Sequence, residues 1–205
     1  MGAVRLLRTL VPVALVAALS AACGNNSSSS PSAGQSPSAG QPTGVSAPAG
    51  ALQARPVFAR YDQSVPSNQQ LGPTASKDLE SLMKSHRCPS KAAEVQGMLL
   101  VCDTGSTVFL LKDPILAGGV TSAEARQIGH GKQWYVEVGF DQKGTSVLKE
   151  ASTSMTGTEL AFVLKNQVLS ANPIDSSMAD GTVGLIGNFD EQQAKKVAQE
   201  LTAAG

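Results

Sequence analysis

The sequence is short of several things, and each shortage closes off a class of function. Charge of one sign is lacking: 16 Lys and Arg face 16 Asp and Glu over 205 residues. Setting aside Arg5 and Arg8 in the N-terminal segment leaves 14 bases against 16 acids, a formal charge of about −2. Nothing is basic enough to follow a phosphate backbone, so no nucleic-acid partner is expected. There is no phosphate loop, no glycine-rich dinucleotide fingerprint and no run of carboxylates at calcium-loop spacing, and no cofactor or bound metal is expected. No Ser or Cys nucleophile arrangement can be read around His86 and His130, the two histidines. Tryptophan occurs once, at Trp134. The one long apolar run, Thr9 to Leu19, is too short to span a bilayer well.

What is present begins with an export signal. Met1 to Arg8 is basic, Thr9 to Leu19 is apolar, and the small residues Ser20-Ala21-Ala22 precede Cys23. Leu19-Ser20-Ala21-Ala22-Cys23 resembles the lipobox of bacterial lipoproteins, with Ser20 where that family prefers Leu. The resemblance implies cleavage after residue 22, acylation of Cys23 by palmitate-like chains, and a lipid anchor on the extracytoplasmic face of the cell membrane. Residues 23–50 are mostly Ser, Gly, Pro and Ala and carry no charged side chain, and Pro31-Ser32-Ala33-Gly34-Gln35-Ser36 nearly repeats from Pro37. Such a stretch buries too little to offset its ordering entropy and reads as a disordered linker. Its root-mean-square reach is roughly 25 to 30 Å by random-coil scaling. Residues 51–205 suit one domain.

Cys88 and Cys102 remain as an even pair in an oxidising compartment, which favours a disulfide. The rival is a metal site from His86, Cys88, Cys102 and His130, whose spacing matches no regular zinc pattern.

Within the domain, Gln53 to Tyr61 reads as a strand, with Pro56 arguing for an edge or a strand start. Leu79, Leu82 and Met83 share a helical face behind a Ser76 N-cap, after a turn-rich stretch from Ser64 to Pro73. Met98 to Val101 and Thr107 to Leu111 are β-prone runs joined by Cys102-Asp103-Thr104-Gly105-Ser106. Trp134 to Phe140 predicts a strand, and Val147, Leu148, Ala151 and Met155 have helical spacing. Leu160 to Leu164 and Gln167 to Ser170 flank a Lys165-Asn166 turn, and Thr182 to Gly187 predicts a further strand. Asp190 and Gln193 fit a capping box for a last helix with Ala194, Val197, Ala198 and Leu201 on its inner stripe. The order predicts an α+β fold, a mixed or antiparallel sheet with helices packed on one face.

Asp103-Thr104-Gly105-Ser106 also spells the catalytic loop of an aspartic protease. Such an enzyme needs two carboxylates sharing a proton, and the sequence has no second copy of the motif for a two-lobed form. A homodimeric form using Asp103 would take Leu185-Ile186-Gly187 as its second signature; the competing reading is a hairpin turn.

Taken together the segments resemble the head subdomain of the first extracytoplasmic domain of SecD, a subunit of the bacterial protein-export translocase. The resemblance lies in Leu52 to Val57, in Val101-Cys102-Asp103 through Leu111, and in Val136 to Gly144. It continues through Leu160 to Ala171 and Gly187-Asn188-Phe189-Asp190 through Ala194, in order along nearly all of Gln53 to Leu201. It favours the turn over the protease. Lys165-Asn166 replaces the family's Asp-Gly turn, and Pro173 falls one place late. The family's base subdomain and transmembrane helices have no counterpart here, so no coupling to a proton gradient is expected. The resemblance implies a non-catalytic, lipid-tethered domain that meets unfolded or extended polypeptide during export, with Asn188, Phe189 and Trp134 as candidate contacts. The alternative is an assembly lipoprotein docking on a folded membrane partner such as the export translocase itself.

Overall fold

The computed structural model describes residues 50–66, 70 and 76–204. Cys23, the signal segment, the linker up to residue 49 and parts of the stretch from Ser64 to Pro73 lie outside the described residues. The strands are β1 (Gln53–Asp62), β2 (Ala93–Val95), β3 (Met98–Cys102), β4 (Thr107–Leu111), β5 (Leu116–Ala117), β6 (Val120–Gln127), β7 (Trp134–Phe140), β8 (Glu159–Leu164), β9 (Gln167–Pro173) and β10 (Thr182–Phe189). The helices are α1 (Lys77–Ser85), α2 (Gln142–Ser154) and α3 (Glu191–Ala203), with a short 3-10 turn at Ser176–Asp180.

The chain is α+β, and its strands divide into two sheets. One runs β2-β3-β4-β1-β8-β9, with β5 on the start of β1; the other runs β10-β7-β6. Every ladder is antiparallel. The first sheet curls back on itself, since Asp103 after β3 forms a parallel bridge to Val168 of β9.

Inside that curl lie Val57, Val101, Phe109, Leu111, Ala161, Val163 and Val168. The opposite face of β4, Val108 and Leu110, packs with Leu79 and Met83 of α1. Both faces of β4 are buried, and this explains its unbroken apolar sequence, because successive side chains point to opposite faces. The largest core joins Leu160 and Phe162 of β8 to Val136 and Val138 of β7, Leu148 of α2, and Ala194 and Leu201 of α3. Helices α2 and α3 thus share the inner face of the second sheet.

The caps are set by local sequence. Ser76 accepts the Leu79 amide at the start of α1. Asp190 Oδ1 accepts the Gln193 amide at 2.8 Å while Gln193 Oε1 accepts the Asp190 amide at 2.9 Å, the reciprocal box that satisfies two helix-end donors. Pro56 corrects the expectation of an edge: β1 is the central strand. It pairs with β8 over Gln53 to Pro56 and with β4 from Val57 onward, with a bulge between Val57 and Ala59. A residue without an N–H is tolerated in mid-sheet because it sits where the strand changes partner. Three strands that periodicity did not reveal, β2, β5 and β6, complete the sheets.

Candidate functional site

The two sheets meet where β9 and β10 lie side by side without a backbone ladder, joined instead by side chains. Ser170 Oγ lies 2.9 Å from the Ile186 carbonyl oxygen and 2.7 Å from Asn172 Oδ1, and Asn172 Nδ2 donates to the Gly184 carbonyl at 2.7 Å. Ser170 is buried. Its buried hydroxyl thus finds a partner across the seam, as buried polar groups require. At Gly187 the strands approach closely: a Cβ there would stand 2.7 Å from the Leu169 carbonyl oxygen.

A groove of about 570 Å³ opens beside this seam, between the β3–β4 turn, the end of β1 and the strands β9 and β10. Phe109, Val168 and Ile186 supply its apolar lining, and Arg60, Asp62 and Asp103 its charges. Phe109 and Val168 also belong to the core inside the curled sheet, so the groove is the mouth of that core. Ile186 is 54% exposed, an unusual state for a large aliphatic side chain in the middle of a strand.

The charged residues are held by short-range donors. Asp103 Oδ1 accepts the amides of Gly105 at 2.8 Å and Thr107 at 3.0 Å, and its own amide donates to the Thr107 carbonyl. Asp103-Thr104-Gly105-Ser106 is thus a hairpin turn organised by its carboxylate. Ile186 and Gly187 of the candidate protease signature line the same groove. Asp62 Oδ1 accepts the Ser64 hydroxyl and amide, at 2.6 and 2.8 Å, and lies 3.3 Å from the Ser106 hydroxyl. The Ser64 hydroxyl, then its amide, hold the Asp62 carboxyl below the usual aspartate value, with Ser106 and the nearby Arg60 charge adding to the effect. Arg60 is itself paired with Glu159 at 2.9 Å.

The three contact residues expected from sequence, Asn188, Phe189 and Trp134, lie together at the end of β10, but only Asn188 lines the groove. Asn188 is exposed and lines the groove and two further cavities, of about 190 and 550 Å³. Phe189 lines those two cavities, yet it is only 5% exposed and packs in the main core. Trp134 pairs across the ladder with Phe189, half-buried, with the Lys195 ammonium 5.9 Å from its ring centre, and does not line the groove. Cys88 and Cys102 are bonded to each other. Among the described residues no group of three or more His, Cys, Asp or Glu side chains gathers to hold a metal ion. Sequence reading missed Asp62 and Ile186 as groove residues, because strand periodicity does not say that one member of an apolar pair will face outward beside another sheet.

Residues 92–205 match the family model described as the SecDF P1 head subdomain. The chain belongs to this family. The head resembles protein translocase subunit SecD of Calditerrivibrio nitroreducens, 29% identical over 130 residues that make up 60% of this chain and 25% of that protein. SecD of Rickettsia felis is 28% identical over 130 residues, 62% of this chain and 24% of the relative. The chain therefore spans about a quarter of the length of these curated relatives. Among solved structures, one described as a membrane component SecDF that enhances protein export aligns with a TM-score of 0.50 at 21% identity, covering 77% of this chain and 64% of that one. SecDF in its super-membrane-facing form gives the same score over 76% of this chain and 19% of that one. These structures share the head's fold. Among the described residues no helix of the head is long and apolar enough to cross a membrane.

Proposed function

We propose that this head works outside the membrane in protein export, as a non-catalytic module that binds extended polypeptide while a lipid on Cys23 and the linker 23–50 hold it near the bilayer. The observation that carries the binding reading is the groove at the β9–β10 seam, where an exposed Ile186 stands beside the buried core residues Phe109 and Val168. Concave apolar surface with a few fixed polar groups is the usual form of a binding site. An extended chain fits because Asn188, beside Ile186, offers a side-chain amide that has no hydrogen-bond partner among the described residues and can meet a peptide group. The SecD relatives, named as translocase subunits, supply the connection to export.

The test is fluorescence anisotropy of a labelled unfolded exported polypeptide titrated with the full-length protein. A saturable rise supports binding. A fall below the starting value means cleavage and returns attention to Asp103, whereas a flat trace favours docking on a folded membrane partner. For the anchor, Cys23→Ser is expected to move the protein from the membrane fraction to the soluble one, and unchanged membrane association would overturn the lipid anchor.

A further inference from the structure

We propose that the groove prefers polypeptide segments in which an apolar residue is flanked by lysine or arginine. This rests on the polypeptide-binding reading and adds a chemical preference to it. The two carboxylates of the lining are built alike. Asp62 Oδ1 is taken up by Ser64 and Ser106, and Asp103 Oδ1 by the amides of Gly105 and Thr107. In each, Oδ2 has no hydrogen-bond partner among the described residues. One oxygen is fixed by the protein's own turns and the other is left as an acceptor, so an incoming ammonium or guanidinium meets acceptors whose geometry needs no reordering.

The lining's cation offsets them only in part. Arg60 is engaged by Glu159 at 2.9 Å, so its charge is shared with a carboxylate of its own. An acidic segment entering the groove would approach two like charges, and a basic one two opposite charges, beside the exposed side chain of Ile186. Half-exposed charge pairs are individually weak, so the two carboxylates together should separate basic-flanked from acid-flanked segments by roughly tenfold in Kd, and less at high salt.

The experiment uses the full-length protein and three labelled peptides with the same leucine- and valine-containing centre, flanked by lysine, serine or glutamate. Affinity should fall in that order at low salt, and the spread should narrow at high salt. The double variant Asp62→Asn with Asp103→Asn keeps an Oδ1 acceptor for each turn while removing both charges. It should bring the three affinities together, chiefly by weakening the lysine-flanked peptide and strengthening the glutamate-flanked one. Ile186→Ala, at an exposed position, should weaken all three alike. Equal binding of the three peptides by the unaltered protein, or a ranking that survives the double variant, would overturn the preference while leaving polypeptide binding in place. Failure of all three to bind, with the folded state verified by circular dichroism, would overturn both.

Discussion

Gly187 has no side chain to keep β9 and β10 apart. Because a Cβ there would meet the Leu169 carbonyl at 2.7 Å, and backbone cannot swing aside as a long side chain can, Gly187→Ala should push the strands apart. A cost of about 1–3 kcal/mol is expected, read as a lower denaturation midpoint with an unchanged slope. Ser170→Ala acts on the same seam by a different route. It leaves the Ile186 carbonyl without its donor and should cost about 1–3 kcal/mol. Asp62 contributes to acid behaviour. Its folded pKa is depressed, so the charged form is the one the fold favours. The contribution is fully present above the unfolded value near 3.8 and is lost as pH falls through the lower folded value. Asp62→Asn should therefore flatten the loss of stability on acidification, measured by thermal melts across that range.

Among the elements, the β8–β9 hairpin shows how much a turn depends on its two residues. Lys165 and Asn166 have φ of 50° and 60°, the left-handed pair that a two-residue hairpin needs. Asn tolerates this conformation and glycine adopts it freely, so Asn166→Gly should stabilise by about 0.5–1 kcal/mol, checked by chemical denaturation. That hairpin, the β3–β4 turn and the three helices were legible in the sequence because their signals are local: a capping box, a Ser N-cap, an Asp and a Gly in a short connection. Strand β6 was not, because its sequence, VTSAEARQ, carries almost no apolar alternation. It is a sheet border, covered on one face by α3 and carrying Glu124 and Arg126 on the other, with a bulge at its start. Charge and a bulge discourage further pairing along an open edge, so polypeptide is expected at the seam and not along β6. The central position of β1 was equally hidden, since it depends on strands more than 40 residues away in sequence, such as β4 and β8.

For the whole molecule, stability is divided among three apolar clusters, and the disulfide serves the one beneath α1. Cys88 follows that helix and Cys102 ends β3, at a sequence separation of 14. Opening the bond by Cys88→Ser with Cys102→Ser should cost about 3 kcal/mol in the chain-entropy account, seen as a lowered Tm. The groove lies at the junction of the curled sheet and the second sheet, so its composition follows from tertiary placement. No single stretch of sequence contains Asp62, Asp103, Phe109 and Ile186 together.

The position of β1 bears on what happens when the chain is pulled. A tug transmitted through the segment before Gly50 arrives at the strand that is gripped along both edges, first by β8 and β5 and then by β4. Antiparallel hydrogen bonds lie across the direction of that pull and are stretched together. The domain would take such tension as a clamp takes it, where a strand at the border of the sheet would be gripped from one side alone.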